Sequence, residues 1–239
     1  MGFEDLEILF EDRNPHILKS SNSMFRLVVF DLDGTLVDSR RDLAISVNQV
    51  IVERGGRPLP EEAVGRMVGD GAATLVARGL EAAGLPAGSG ALERFLSLYN
   101  QHLLDHTRPY PGIPEVLATL GTRATLGVLT NKPLAATREI LAGLDLARHF
   151  SPDYVRGGDG PLPRKPDPAG LTRLIKDVGA EAHGTLLVGD SPIDWQTARA
   201  ASTPICLARY GFGFSGFESM DLEPAACVID EPHDLLSLT

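Results

Sequence analysis

The segment RLVVFDLDGTLVDS, residues 26–39, places two aspartates one residue apart at the end of an apolar run. The run from Leu27 to Phe30 predicts a strand buried on both faces of a parallel sheet. Asp31 and Asp33 then lie where this strand emerges, with side chains on the same side, because strand side chains repeat every two residues. A carboxylate can attack phosphorus, and a second carboxyl can protonate the leaving oxygen and later deprotonate water. We therefore predict Asp31 as nucleophile and Asp33 as general acid/base.

Other polar residues occur at the ends of further predicted strands. Thr130 and Asn131 follow the strand predicted at 124–130, and Asp190 ends the strand predicted at 185–190. Lys165, in RKPDP, precedes a predicted helix. Because ligands of open α/β sheets bind beyond the carboxyl ends of the strands, these groups are expected to meet at one edge.

Three acidic side chains at one edge would repel one another without a cation between them. Oxygen ligands favour a hard ion, and Mg²⁺ keeps open positions that phosphate oxygens can fill. Lys165 adds a positive charge, and Thr130 and Asn131 add hydrogen-bond donors. Gly34 allows backbone amides to approach the same oxygens closely. The residues together predict a magnesium-dependent site for a phosphoryl group.

Four segments resemble the four motifs of the haloacid dehalogenase superfamily of aspartate-nucleophile phosphatases. They are DLDGT at 31–35, VLTNKP around Thr130, RKPDP around Lys165 and GDSPID at 189–194. They occur in this order at suitable intervals.

The resemblance implies a role for each matching residue. Asp31 is nucleophile and magnesium ligand, and Asp33 is acid/base and lends its backbone carbonyl to the metal. Asp190 completes the metal ligands, and Asp194 supports them from behind. Lys165 neutralises the phosphoryl group and orients Asp31. The segment after the first motif is similar to the mobile cap of this family.

Softer similarities point to the bacterial phosphoglycolate phosphatases within the superfamily. They include VGDGAATLVARGL at 68–80, YPGIPEVLATL at 110–120 and RYGFG at 209–213. The expected substrate is a small phosphomonoester, 2-phosphoglycolate first. Sugar-phosphate, nucleotide and pyrophosphate phosphatases share much of the pattern, and a phosphosugar mutase would use the same aspartyl-phosphate. A non-catalytic phosphometabolite-binding module is the remote alternative, and Asp33 argues against a dehalogenase.

The predicted elements give two units. Helical patterns fill residues 41–108, with apolar positions at helical spacing in DLAISVNQVIVE, 61–67, 72–83 and 92–104. From Pro111 onward, helices alternate with strands expected at 124–130, 153–155, 185–190, 204–208 and 227–230. We predict a doubly wound, Rossmann-like parallel sheet formed by 24–40 and 109–239, with an inserted all-helical cap at 41–108. Residues 1–23 are predicted to be a flexible tail.

Composition limits the partners. The chain has 239 residues, a net charge of −10 and 43% hydrophobic residues. The lack of a basic run argues against nucleic acid, and the lack of an apolar run near roughly 20 residues argues against a membrane. A cytoplasmic location is expected, and nothing in the sequence specifies an oligomeric state. Cys206 and Cys227 have no metal-ligand spacing and are predicted as buried strand residues.

Three further features remain open. The segment GFGFSG at 211–216 formally matches GxGxxG but precedes no helix, so a flexible loop is expected rather than a dinucleotide site. Gly69, Asp70 and Gly71 form either a specificity loop facing the site or a turn between helices. Arg66 is a weaker candidate for the same role.

Overall fold

A computed structural model of the chain describes residues 25–217 and 226–238, and the predicted N-terminal tail at 1–23 lies outside these residues. Six parallel strands form the main sheet, in the order β5-β4-β1-β6-β7-β8. They are β1 (Leu27–Phe30), β4 (Thr125–Leu129), β5 (Val155–Arg156), β6 (Thr185–Gly189), β7 (Ile205–Ala208) and β8 (Ala226–Ile229). The predicted doubly wound α/β class is confirmed, because helices connect most of the neighbouring parallel strands.

The central strand β1 has no solvent-exposed face. It pairs with β4 and β6, and Phe30 is in register with Val128 on one side and Val188 on the other. Val28 and Phe30 point into one hydrophobic core, and the alternate residues Leu27 and Val29 point into the other. Two buried faces explain why this strand is a continuous apolar run rather than an alternating one.

Four helices flank the sheet: α5 (Ile113–Leu120), α6 (Leu134–Gly143), α7 (Ala169–Val178) and α8 (Pro192–Ala200). The predicted start of β5 was wrong. Pro152–Tyr154 is a short 3-10 turn, closed by Tyr154 N donating to Ser151 O, so β5 begins only at Val155. The helix predicted after RKPDP begins at Ala169, whose amide donates to Asp167 Oδ1 at 2.9 Å.

The helical unit between β1 and α5 contains α1 (Arg40–Glu53), α2 (Glu61–Gly65), α3 (Ala72–Ala82) and α4 (Ala91–Gln101). Helix α1 packs against the other three, around Val47, Leu75 and Phe95. This observation confirms the expected all-helical insertion; its limits at 41 and 108 and its motion as a cap stay proposals. The last helix is shorter than predicted and ends at Gln101.

The two connections between the helical unit and the sheet lie side by side. Short strands β2 (Val37–Asp38) and β3 (Arg108–Pro109) pair antiparallel, a feature that the apolar pattern did not predict. Asp42, only 1% exposed, accepts hydrogen bonds from the amides of His106 and Thr107 and from the Thr107 hydroxyl. The carboxylate thus joins the start of the helical unit to its end.

Within the described residues, the longest helix is α1 with 14 residues, and none has the length and apolar character needed to cross a membrane. Cys206 is buried as predicted, whereas Cys227 is only partly buried. The two are in register on β7 and β8 and are free thiols.

Candidate active site

The candidate residues meet beyond the carboxyl ends of β1, β4 and β6. Lys165 Nζ lies 2.9 Å from Asp31 Oδ1 and 2.6 Å from Asp194 Oδ1, and these three side chains are at most 8% exposed. Asp31 directly follows β1, whereas Lys165 comes from the segment before α7. The convergence expected from the strand ends is therefore present for Asp31, Lys165 and the acidic residues after β6.

Asp31 is buried among charges of both signs. Its Oδ1 forms an ion pair with Lys165 Nζ at 2.9 Å. Burial raises the pKa of Asp31 to about 6, since the lowering by Lys165 is smaller and Asp194 raises it further. The contact engages only one carboxylate oxygen, so the other can face an electrophile.

Asp190 accepts two hydrogen bonds, one at each carboxylate oxygen. Its Oδ1 accepts from the Thr35 hydroxyl at 3.3 Å, and its Oδ2 accepts from the Gly213 amide at 2.7 Å. Burial and the nearby Asp194 and Asp31 carboxylates raise its pKa well above the ordinary value. The 211–216 segment, predicted to be a loop rather than a dinucleotide site, supplies this amide.

Gly34 makes room for Asp190 rather than only for a ligand. A Cβ at Gly34 would lie 1.9 Å from Asp190 Oδ2, and its φ of +88° disfavours side chains. A Cβ at Gly211 would similarly lie 2.2 Å from Asp190 Cβ. The glycines thus allow the backbone to approach this side chain, which the sequence analysis did not predict.

We expect Gly34→Ala to lower kcat/KM by about 10- to 100-fold if Asp190 is a metal ligand, as predicted, because displaced support of a ligating carboxylate has effects of this size. Gly179→Ala is the matched control. Its φ is +69°, yet no atom lies within 4 Å of the added Cβ, so it should lose stability without losing activity. Steady-state kinetics and thermal unfolding of both variants test this, and full activity in Gly34→Ala would contradict it.

Asp194 lies in the first turn of α8, and its two oxygens contact different groups. Its Oδ2 accepts from the Ser191 amide and hydroxyl in a capping box, and its Oδ1 receives Lys165. One oxygen each from Asp31, Asp190 and Asp194 lie within 4.8 Å of one another. The resemblance implied a supporting role for Asp194, and its contact with Lys165 is compatible with that role.

Asp33 is not one of these three clustered carboxylates but lines the same cavity and pairs with Lys132. Lys132 Nζ lies 2.9 Å from Asp33 Oδ1 and 2.8 Å from Oδ2, and the Ser39 hydroxyl donates to Oδ1 at 2.6 Å. Burial lowers the pKa of Lys132, but the Asp33 carboxylate more than offsets this, so the pKa lies above its ordinary value. Lys132 was not among the predicted site residues, although its place directly after Asn131 at a strand end was the available signal.

Thr130 and Asn131 both line the cavity next to Asp31, but the amide of Asn131 is already engaged. Its Nδ2 donates to the carbonyls of Gly69 and Lys165, each at 2.9 Å. The side chain therefore joins the helical unit to the segment that carries Lys165. A hydrogen bond from this amide to a phosphoryl group would require one of these contacts to break.

A cavity of about 50 Å³ lies between the helical unit and the sheet edge. Its floor includes Asp31, Asp33 and Thr130, and its walls come from the helical unit. Of the 69–71 loop, Gly69 and Gly71 line this cavity, whereas the side chain of Asp70 pairs with Arg78. Arg66 is exposed and is not part of the lining.

The charges of the pocket fit a divalent cation. Four carboxylates face only two ammonium groups, those of Lys132 and Lys165. The three clustered carboxylates offer oxygen ligands alone, which favours a hard ion such as Mg²⁺ over softer metals. Burial raises the pKa values of both Asp31 and Asp190, and neighbouring carboxylates raise them further, so a cation at this position would be favourable.

Comparisons with known proteins agree with the expected family. A model of the haloacid dehalogenase-like hydrolases matches residues 28–208 of the chain. The phosphoglycolate phosphatase of Rhodospirillum rubrum is 44% identical over 198 residues, which cover 79% of this chain and 81% of that protein. The phosphoglycolate phosphatase of Pseudomonas fluorescens is 37% identical over 238 residues, covering 96% of this chain and 82% of that protein.

Solved structures agree as well. The crystal structure of a predicted phosphoglycolate phosphatase from Haemophilus somnus 129pt matches with a TM-score of 0.82 and 28% identity, covering 91% of this chain and 99% of that one. The family match spans the candidate residues from Asp31 to Asp194. The chain therefore belongs to the haloacid dehalogenase-like hydrolase family, and within that family it is a phosphatase.

Proposed function

We propose that this phosphatase is a magnesium-dependent phosphomonoester hydrolase that acts through an aspartyl-phosphate on Asp31, with 2-phosphoglycolate as its preferred substrate. The strongest support is the position of Asp31: a buried carboxylate, paired with Lys165, on the floor of the cavity between the helical unit and the sheet edge. Such a carboxylate can reach a bound phosphoryl group without competition from bulk water.

The reaction requires two displacements at phosphorus. In the first, an oxygen of Asp31 attacks phosphorus, the bond to the ester oxygen breaks, and the departing oxygen takes a proton from Asp33. In the second, Asp33 takes a proton from water as the water oxygen attacks phosphorus, which releases phosphate and restores the Asp31 carboxylate. Lys165 offsets negative charge beside Asp31 throughout.

The proposal assigns specific ligands and one role to the metal ion. Asp31 and Asp190 would hold the ion, together with the backbone carbonyl of Asp33 that the family resemblance implies. Once bound, it would supply positive charge to the phosphoryl oxygens. Asp194 would keep Lys165 in position through their 2.6 Å contact.

Two observations support a small substrate. One water molecule needs about 10–15 Å³ of cavity volume measured in the same way. A cavity of about 50 Å³ therefore suits a short ester better than a nucleotide. The curated relatives at 44% and 37% identity are named phosphoglycolate phosphatases. We therefore place 2-phosphoglycolate first among the candidate esters.

A phosphate-release screen of the purified protein tests the proposal. The panel contains 2-phosphoglycolate, sugar phosphates, nucleoside monophosphates and pyrophosphate. We expect kcat/KM for 2-phosphoglycolate to exceed the others by about 100-fold, a ratio that complementary polar contacts can supply. Comparable values across the panel would replace a dedicated role with a broad one. An isomerised sugar phosphate formed without release of phosphate would favour a mutase instead.

Removal of divalent metal should stop hydrolysis, and added Mg²⁺ should restore it. A second readout is independent of activity: Mg²⁺ should raise the thermal unfolding temperature, since it relieves repulsion among buried carboxylates and binds only the folded chain. Asp190→Asn should lose most of this rise. An unfolding temperature insensitive to Mg²⁺ in the wild type would contradict the proposed ion site.

A further inference from the structure

The ion pair between Lys132 and Asp33 has no place yet in the proposed mechanism. The Lys132 ammonium contacts both carboxylate oxygens, at 2.9 and 2.8 Å, and the Ser39 hydroxyl adds a contact of 2.6 Å. The side chain of Lys132 is 3% exposed and that of Asp33 is 11% exposed. Asp33 is thus held from the end of β4 and from the residue before α1.

The helical unit completes the surroundings of Lys132. The ammonium lies 4.6 Å from the centre of the Tyr99 ring, on α4, which is a favourable cation–π distance. Tyr99 is itself buried and stacks on Phe95 at 5.5 Å. Because a carboxylate and an aromatic face both hold it, the flexible lysine side chain has one defined position, and that position borders the cavity.

We infer that Lys132 is a positioning residue for proton transfer, which acts through Asp33 and specifically assists esters whose leaving alcohol must be protonated. The inference rests on the proposed function, in which Asp33 protonates the leaving oxygen. When the phosphorus–oxygen bond breaks, that oxygen gains the proton of Asp33, and Asp33 becomes a carboxylate. Lys132 and Ser39 stabilise this carboxylate where it forms, and the attacking water later returns a proton to it.

Two small phosphoryl compounds, a phosphate ester and an acyl phosphate (both called esters below for brevity), separate this role from a structural one. 2-Phosphoglycolate releases an alkoxide, which needs a proton, whereas acetyl phosphate releases acetate, which is stable without one. We expect Lys132→Met to lower kcat/KM by about 30- to 100-fold for 2-phosphoglycolate and by less than about threefold for acetyl phosphate, within the range of acid catalysis. The parameter kcat/KM reports the steps up to loss of the leaving group, so the second displacement does not obscure the comparison.

The design tolerates partial misfolding, because both esters are measured on the same preparation and their ratio does not depend on the folded fraction. Lys132→Arg keeps the positive charge. Its ratio of kcat/KM for 2-phosphoglycolate to that for acetyl phosphate should therefore lie between the ratios of Lys132→Met and the wild type. Lys176→Met is the matched control, since this lysine on α7 is exposed, and it should change neither rate. In an Asp33→Asn background, Lys132→Met should leave the ratio unchanged, because its target carboxylate is already absent.

Equal losses for both esters, or a ratio change that persists in the Asp33→Asn background, would overturn the inference while the proposed function stands. A wild-type chain that hydrolyses neither ester would contradict the proposed function and, with it, the inference. The two failures are therefore distinguishable.

Discussion

Asp31→Asn is expected to lower kcat for phosphomonoester hydrolysis by about four orders of magnitude or more, at saturating substrate and magnesium. The amide keeps the shape of the side chain but cannot attack phosphorus, so no aspartyl-phosphate forms. Single-turnover experiments with quenching and mass analysis check this directly. The wild type should carry one phosphoryl group at residue 31, and the variant should carry none.

The fold should survive this substitution. Burial and neighbouring carboxylates raise the pKa of Asp31 to about 6, which means that its negative charge is unfavourable in the folded protein. A neutral amide removes this unfavourable charge. Without metal, the unfolding temperature of Asp31→Asn should therefore equal or exceed that of the wild type. Asp145→Asn is a matched control, because this aspartate is exposed at φ +58°, a conformation that asparagine accepts. Near-normal turnover in Asp31→Asn would refute the assignment of the nucleophile.

Lys165→Met is expected to lower kcat by about 1,000-fold, at the upper end of effects measured for single charged or hydrogen-bonding groups in active sites. Unlike Asp31→Asn, it should also destabilise the fold. Lys165 contacts Asp31 and Asp194 and is 2% exposed, so its loss leaves two buried carboxylates without their cation. Breaking a buried pair in this way costs about 3–5 kcal/mol, which corresponds to a fall of roughly 6–20 °C in Tm.

A second substitution separates the effect of Lys165 on catalysis from its effect on stability. In the double variant Lys165→Met with Asp194→Asn, one of the stranded carboxylates is neutral, so part of the lost stability should return. Activity should not return, because the positive charge beside Asp31 is still missing. Calorimetry and steady-state kinetics on the same preparations measure both. Recovery of activity in step with stability would show that Lys165 acts only through the fold.

The proposed roles also explain why Lys165 and Lys132 are not interchangeable. Lys165 sits between Asp31 and Asp194, whereas Lys132 sits on Asp33 beneath the helical unit. We expect loss of Lys165 to affect every ester, since each one transfers its phosphoryl group to Asp31. The expected effect of Lys132 depends on the leaving group. Comparing the two variants on the same pair of esters therefore separates nucleophile orientation from proton transfer.

Much of the candidate site followed from strand positions. Asp31 and Asp190 end adjacent parallel strands, so a purely local pattern of apolar runs sufficed to predict their approach. Lys165 was predicted through its motif, and the structure places it at 2.9 Å from Asp31. The boundary of β5 was wrong because Pro152 starts a 3-10 turn that short-range propensity did not distinguish from a strand.

Side-chain direction was harder to predict than residue position. Asn131 and Lys132 are neighbours in sequence, yet the amide of Asn131 joins Gly69 to Lys165 while the ammonium of Lys132 turns to Asp33. The segment around Gly213 was predicted to be a loop rather than a dinucleotide site, and its amide donates to Asp190. In each case the partner comes from a distant part of the chain, so no local pattern contains it.

By itself, the sequence determined the alternation of strands and helices, the all-helical insertion and the identity of the carboxylates at one edge of the sheet, because each depends on local periodicity and on chain order. Only the tertiary structure decided which charged side chains pair with one another. The pairing of Lys132 with Asp33 under Tyr99 depends on how the helical unit seats on the sheet. Long side chains have many rotamers, and packing between distant segments selects one of them.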